Sequence, residues 1–183
     1  MAGKSTYVAL LRGINVSGHK IVKMEQLRAA FVALGFADVK TYIQSGNVVF
    51  KAPTQANQKL AKKIEEKVLL EFGFPVPVIV KTVEELTAAI ENNPFANEKG
   101  IDPSRLHVTF LSQALEKNAQ KMLSAIPAGP DRFSCSGENI YLHCPNGYGE
   151  SKLSNSAFEK ILSLKATTRN WNTVNRLLEM MRG

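Results

Sequence analysis

The stretch VKTYIQSGNVVF, residues 39–50, decides how the first half of the chain folds. Residues 39–43 and 47–50 are rich in β-branched and aromatic side chains, which is typical of strands. Gln44, Ser45 and Gly46 separate the two runs. A tight turn here needs only Gly46 and Asn47, which both tolerate a positive φ. The stretch therefore predicts a β-hairpin.

On each side of this hairpin the sequence predicts one helix and one strand. Residues 7–14 form a mostly apolar run that is typical of a strand, and apolar residues at helical spacing predict a helix over 24–34. After the hairpin, apolar residues recur every four positions over 57–72 and predict an amphipathic helix. Residues 76–80 predict a strand, and the nearby prolines favour an edge position. The order β-α-β-β-α-β is that of a ferredoxin-like subdomain.

The second half of the chain nearly repeats this order. The sequence predicts a helix at 83–91, a strand at 106–111, a helix at 115–126, a hairpin of strands at 132–135 and 139–144, and a helix at 152–164. A last strand is not evident, and residues 167–181 instead predict a helix with Trp171 on its apolar face. We therefore predict an α+β fold of two ferredoxin-like-related (βαββα-type) subdomains plus a C-terminal helix. The predicted domains are residues 1–82 and 83–183, or the two halves form one compact unit.

The charge of the chain is concentrated in its first half. The 183 residues carry a net charge of +7. Residues 1–82 hold 12 Lys and Arg against 5 Asp and Glu, whereas residues 83–183 hold 11 of each. Such an asymmetry indicates an anionic partner for the first half, either nucleic acid or a phosphorylated small molecule. The lysines of the 57–72 helix stand beside acidic residues, and they can equally form its solvated face.

Cysteine usage and hydropathy bound the cellular context. Two cysteines are too few for a disulfide framework, and in the predicted hairpin Cys135 faces Ile140 while Cys144 faces Asp131, so the sulfurs do not meet. This favours reduced thiols. The N-terminal residues lack the apolar region of a signal peptide, and no segment is long enough to span a membrane. We expect a cytoplasmic protein without a membrane partner.

The segment RGINVSGHK, residues 12–20, connects the first strand to the first helix. Gly13 and Gly18 have the spacing of a P-loop, but His19 stands where the lysine belongs and Lys20 where the hydroxyl residue belongs. The segment is therefore either a wide turn that uses its glycines, or a looser anion site. In the second case Arg12, Asn15, Lys20 and Lys23 are the candidate contacts.

Two further places could supply polar contacts. Gln44 and Asn47 flank the first hairpin turn, which a ferredoxin-like sheet places at the same end as the 12–20 segment; turn chemistry alone also explains them. Near the C-terminus, Thr167 or Thr168 can cap the last helix, whose positive end with Arg169 favours an anion. Trp171 is a core residue by its spacing, or else it stacks on a base or ring.

Other chemistries fit the sequence poorly. The ferredoxin-like order allows an RNA-binding sheet with Tyr7, Tyr42 and Phe50 on its strands, but the consensus of such sheets is absent. The two cysteines and three scattered histidines lack zinc spacing, and neither a nucleophile elbow nor a pair of carboxylates is evident. We therefore predict no metal site and no cofactor, and we name no catalytic residue.

Three segments together resemble one known family. YVALLRGINVSGHKIVKMEQLRAAFVALGF, VKTYIQSGNVVF and TTRNWNTVNRLLEM are similar to a bacterial family of conserved hypothetical proteins, domain of unknown function 1697 (DUF1697). The resemblance covers nearly the whole chain and implies two ferredoxin-like-related subdomains. Members usually have Gly where Ser17 stands here. The resemblance implies no activity, substrate or catalytic residue.

The leading hypothesis is an anion-binding module for a nucleotide, a phosphorylated metabolite or a nucleic acid. Its candidate contacts are Arg12, Asn15, Lys20, Lys23, Gln44, Asn47 and Arg169, with Trp171 as a candidate stacking residue. One alternative is a small-molecule enzyme with its site in the cleft between the subdomains. Another is a structural protein that works through oligomers, paired at the edge strand of residues 75–80. The oligomeric state is not predicted.

Overall fold

The computed structural model describes residues 3–183, which divide into two compact units. The first unit comprises Met1–Thr87 with Leu177–Gly183, and the second comprises Ala88–Arg176. Residues 177–183 thus belong to the first unit, although the sequence analysis grouped them with the second half. Contacts of their side chains explain this, since the Arg182 guanidinium donates a hydrogen bond to Thr87.

The first unit is a four-stranded antiparallel sheet with two helices between its strands. Its elements are β1 (Lys4–Leu11), α1 (Met24–Ala33), β2 (Ala37–Tyr42), β3 (Asn47–Pro53), α2 (Asn57–Phe72) and β4 (Val78–Thr82). The strand order β2-β3-β1-β4 confirms the predicted ferredoxin-like arrangement and the edge position of the last strand. The first strand begins earlier than predicted and ends at Leu11, so residues 12–14 belong to the loop. A short helix α3 (Val83–Glu91) follows directly.

An aromatic cluster lies at the centre of the first unit's core. Phe50 stacks on Phe36 at 4.6 Å between ring centroids, and Phe31 and Tyr7 contact it at 5.3 and 5.7 Å. Leu60 and other apolar residues of α2 complete this core. The sheet aromatics Tyr7 and Phe50 are therefore buried, and their faces are not available to stack on RNA bases.

The second unit repeats this architecture with its own core. Its elements are β5 (Leu106–Leu111), α4 (Ala119–Leu123), β6 (Arg132–Ser136), β7 (Asn139–His143), α5 (Asn155–Leu162) and β8 (Ala166–Asn170). The last helix, α6 (Trp171–Arg182), begins in this unit and passes into the first unit at Leu177. The strand order β6-β7-β5-β8 matches that of the first unit. Cys135 pairs with Ile140, as predicted.

The strand β8 corrects the sequence analysis, which found no last strand and used Thr167 and Thr168 as helix caps. Both threonines lie in β8, which pairs along its length with β5. The polar composition of the strand concealed it. Its hydroxyls are satisfied inside the unit: the Thr168 hydroxyl lies 2.7 Å from that of Thr109 and donates to Asn155 at 2.7 Å.

The helices of the second unit are shorter than predicted. The predicted helix 115–126 reduces to α4, and the Leu115 N–H, ahead of it, donates to the Gly137 carbonyl in the turn between β6 and β7. The predicted helix 152–164 begins only after Ser154, whose hydroxyl caps it by accepting from the Ala157 N–H at 3.2 Å.

Candidate functional site

The loop between β1 and α1 is held in shape by Asn15. Its side-chain amide donates to the carbonyls of Val22 and Gln44, both at 2.9 Å, and its oxygen accepts from the Val22 N–H at 2.8 Å. Its backbone N–H donates to the Lys20 carbonyl. All polar groups of this side chain have partners within the protein, so Asn15 has a structural role.

The tip of the same loop is a tight turn. Val16 and His19 form an isolated antiparallel bridge, and five residues of the loop have a positive φ. These are Gly13, Asn15, Ser17, Gly18 and Lys20. A chain folded back on itself in this way differs from the open phosphate-binding loop whose glycine spacing it shares.

The two lysines of this segment have different surroundings. The Lys20 ammonium donates to the Pro75 carbonyl at 2.8 Å and lies 5.9 Å from the centroid of the Phe74 ring. Lys23 precedes the first residue of α1 and is exposed, and it caps nothing with its side chain. Of the two, Lys23 is the one whose charge faces solvent.

The hairpin turn meets this loop, as the sequence analysis expected. The Gln44 carbonyl accepts from Asn15, while the Gln44 side chain is exposed. Asn47 is fully buried, and its amide donates to the Tyr42 carbonyl at 3.1 Å and the Ser45 hydroxyl at 2.8 Å. Arg12 is half-buried. The loop and the turn are thus joined mainly by contacts that fix the fold.

Arg169 and Trp171 belong to the second unit. Arg169 lies in β8 rather than at a helix start, and its guanidinium donates to the Thr167 hydroxyl at 2.8 Å and to the Thr168 carbonyl at 3.0 Å. Burial lowers the pKa of Arg169 to about 10. Trp171 begins α6 and is buried like its helical neighbour Val174, which agrees with a core role.

A different group of charged residues comes together on the first unit's sheet. Thr6 pairs with Lys51, and Lys40 pairs with Val49. Paired residues of antiparallel strands share a face, and so do residues two apart on one strand. Lys40 and Lys51 therefore lie on the same face, opposite to the face that carries Tyr7 and the aromatic core.

These lysines line a cavity of about 200 Å³. Its other polar lining residues are Thr6, Asp38 and Arg182. Its apolar side chains come from Val49, Met180 and Met181. We call Lys40, Lys51 and Arg182, together with Lys4 at the start of β1, the lysine cluster. Asp38 is the acidic residue among the residues that line this cavity.

The positive charges of the lysine cluster lower the pKa of the Asp38 carboxyl. The Asp38 carboxylate lies 2.6 Å from the Lys51 ammonium. The hydrogen bond and the charge of Lys51, followed by the charges of Lys40 and Lys4, lower the pKa of Asp38. The residue sits at an irregularity of β2, where the pairing with β3 shifts register, and has a φ of 50°. Asp is one of the few residue types that tolerate this conformation.

The sequence analysis missed the lysine cluster, although part of it left a signal. Lys4 and Thr6 are two positions apart on β1 and therefore share a face of the sheet. A ferredoxin-like order places β1 beside β3, so the position of Lys51 near these two residues could have been predicted. The contribution of Arg182 was not, because it depends on where the end of α6 packs.

Residues 3–183 contain potential metal ligands and two potential cysteine nucleophiles. Within that range, no three His, Cys, Asp or Glu side chains gather where they could hold a metal ion. Both cysteines are free thiols, and burial raises the pKa of Cys135 and of Cys144 to about 11. Such thiols are weak nucleophiles at neutral pH. Among the helices in residues 3–183, none combines the length and the apolar character that a bilayer crossing requires.

Comparisons with known proteins agree with the fold. The model of a family described as a protein of unknown function (DUF1697) matches residues 4–141. A solved structure, that of a conserved bacterial protein from Streptococcus pneumoniae, superposes with a TM-score of 0.72 at 22% identity, covering 98% of this chain and 99% of the other. No curated protein matches the sequence.

Proposed function

We propose that this chain, which belongs to the DUF1697 family of proteins of unknown function, is an anion-binding protein. The lysine cluster of the first unit is the proposed binding site. One observation carries the proposal: a cavity of about 200 Å³ is lined by Lys40, Lys51 and Arg182 and by one acidic residue, Asp38. Cations that outnumber acids around a concave surface attract an anion from solution.

The proposed site differs from the residues that the sequence analysis favoured, because several of those side chains form hydrogen bonds within the protein. Asn15, Lys20 and Asn47 donate to carbonyls or hydroxyls of the protein itself, and Arg169 lies in the other unit. Of the other candidates in the first unit, Lys23 and Gln44 are exposed and Arg12 is half-buried. We keep Arg12 and Lys23 as a second arm of the experiment.

The alternatives of an enzyme and of an oligomeric protein stay predictions. For the second, the structure offers one relevant contact. The Val78 N–H of the edge strand β4 donates to the Glu65 carboxylate of α2 at 2.9 Å. This backbone donor is therefore already used, and protecting an edge strand in this way works against pairing with a second copy.

Calorimetric titration of the full chain with inorganic phosphate, at low and at high salt, tests the proposal. We expect saturable heat at low salt that weakens as salt screens the cluster. A ligand at about 100 times its dissociation constant also adds about 2.7 kcal/mol to the unfolding free energy, which gives a second readout by melting temperature.

Three double variants locate the site. K40A/K51A removes two charges from the lysine cluster and is expected to abolish binding. K59A/K63A removes two exposed charges from α2 and should leave binding unchanged. If R12A/K23A abolishes binding while K40A/K51A does not, the site lies at the loop, and if the wild-type protein binds no phosphate, the function itself is refuted.

A further inference from the structure

We propose that the lysine cluster takes the dianionic phosphate group of a small phosphomonoester, and that Asp38 occupies Lys51 in place of this group until the ligand displaces it. This inference rests on the proposed function and names its ligand class. Two features carry it: the balance of charge around the cavity, and the position of Asp38 at its rim.

The charge balance favours a dianion. Lys40, Lys51 and Arg182 contribute three positive charges to the lining, and Asp38 contributes one negative charge. The pKa of this carboxyl lies below its usual range, so Asp38 is ionised at neutral pH. The charged side chains of the lining therefore sum to two positive charges, which match a phosphomonoester above its second pKa of about 6. Lys4 adds a further charge close enough to act on Asp38.

The size of the cavity favours a small ligand. Its volume of about 200 Å³ lies below the range of about 300–1,000 Å³ that is typical of pockets for drug-sized molecules. A phosphate group with a few carbon atoms suits this space better than a whole nucleotide does. The methionine side chains of 180 and 181 also line it and offer an apolar contact for those carbons.

The rest of this sheet face does not suit a polynucleotide. Val8, Leu10 and Ile79 follow the cluster along β1 and β4, and all three are apolar and buried. A single strand needs a basic track and aromatic platforms, whereas Tyr7 and Phe50 face the core of the first unit. Lys81, which pairs with Val8 and so shares this face, is buried. The solvent-exposed positive charge of this face is thus local, as a site for one phosphate group requires.

The Asp38 side chain can move away from Lys51 when a ligand binds. This side chain is 60% exposed, so it can turn into solvent, and Lys51 is one of the residues that line the cavity. The carboxylate binds Lys51 at 2.6 Å, where an oxygen of a phosphate group would also bind. An incoming dianion repels this carboxylate and competes for the same ammonium. Asp38 therefore lowers the affinity of the site and makes it selective for ligands of higher charge.

The test measures the binding of glycerol 3-phosphate to the full chain by calorimetry, for the wild type and for D38N. Asn tolerates the positive φ of this position, so the fold is retained. We expect D38N to bind about two- to fivefold more tightly, as removal of one exposed like charge implies. Wild-type affinity should rise between pH 5 and 7.5 as the phosphate becomes dianionic, whereas sulfate, dianionic throughout, should show no such rise.

The outcomes separate this inference from the proposed function. If glycerol 3-phosphate binds the wild type but D38N binds it equally or more weakly, the role of Asp38 is refuted while anion binding stands. If a thymidine octanucleotide binds more tightly than glycerol 3-phosphate, the ligand class is refuted. If neither protein binds any of these probes, the proposed function fails together with the inference.

Discussion

The amide of Asn15 and the carbonyl of Gln44 are joined by a hydrogen bond of 2.9 Å, which ties the loop after β1 to the turn between β2 and β3. The two residues are 29 positions apart in the chain. The same Asn15 side chain exchanges two hydrogen bonds with the backbone of Val22. One side chain thus fixes the entry to α1 and the central hairpin of the first unit.

Replacing Asn15 by Ala should destabilise the protein by about 2–4 kcal/mol. The change removes three hydrogen bonds, leaves partly buried backbone groups without partners, and places Ala at a φ of 54°. Urea denaturation measures the change in unfolding free energy. Q26A, at an exposed position of α1, is the control and should stay within about 0.5 kcal/mol of wild type. A similarly small effect of N15A would contradict the role of this link.

Replacing Gly46 by Ala should cost more than replacing Gly35 by Ala. Both glycines have a φ near 80°, so both substitutions strain the backbone. A Cβ at Gly46 would also lie 2.8 Å from the Leu11 Cβ and 3.0 Å from the Ile14 Cδ1, whereas at Gly35 it would meet nothing within 4 Å. We expect about 1 kcal/mol for G35A from strain alone and at least about 2 kcal/mol more for G46A from overpacking. Equal melting temperatures of the two variants would refute the close approach.

The hydroxyls of Thr109 and Thr168 should be energetically coupled across β5 and β8. They lie 2.7 Å apart, and Thr168 also accepts from the Tyr148 hydroxyl at 3.2 Å. T168V leaves the Asn155 oxygen without this donor, and we expect a loss of about 1–3 kcal/mol. A double-mutant cycle with T109V should show a coupling energy of at least about 0.5 kcal/mol. Strict additivity would mean that this contact does not stabilise β8.

Protein stability should fall at alkaline pH because of the two thiols. Burial raises the pKa of Cys135 and of Cys144 from the ordinary value of 9.0 to about 11. Their contribution is fully present below pH 9 and is lost as the pH rises from 9 to 11, because over this range the unfolded chain releases protons that the folded chain retains. The unfolding free energy of C135A/C144A should therefore decline less steeply over this range than that of the wild type. Parallel pH profiles of the two proteins would contradict the raised pKa values.

Labelling of the same thiols gives an independent check. An aromatic disulfide reagent should react slowly with the native protein at pH 8, since the reactive species is the thiolate and little of it forms three units below the pKa. The reaction should become fast in urea, where both thiols regain their ordinary pKa. Rapid labelling of the native protein would show that the thiols are more acidic than their burial implies.

Local sequence patterns sufficed for most of the first unit. The apolar repeat of residues 57–72 gave the bounds of α2, and the helix ends at Gly73 in the left-handed conformation. The turn at Gly46 set the central hairpin. These elements were predictable because each is encoded by neighbours within a few residues: an apolar stripe every turn, a glycine at a positive φ, or an alternation along a strand.

The strand β8 escaped prediction because its signal is not local. Thr168 and Arg169 are polar, and nothing within a few residues of them indicates burial. Arg169 is buried because its guanidinium finds the Thr167 hydroxyl and the Thr168 carbonyl, and Thr168 is satisfied by Thr109, 59 positions away. Only the folded unit supplies such partners, and without them a strand of these residues would not be stable.

The sequence by itself determined the order of the elements in the first unit, the ferredoxin-like arrangement and the basic character of the first half. These follow from periodicity, turn chemistry and composition, which act over short distances along the chain. The tertiary structure decided which polar groups form hydrogen bonds within the protein and which face a cavity. The sequence analysis named Asn15 as a candidate contact and did not name Lys51, yet the carbonyls of Val22 and Gln44 satisfy the first, while strand register sets the second on the same face as Lys40. Hydrogen-bond partners and strand register are settled only when distant segments meet, and for that reason the proposed site emerged from the structure.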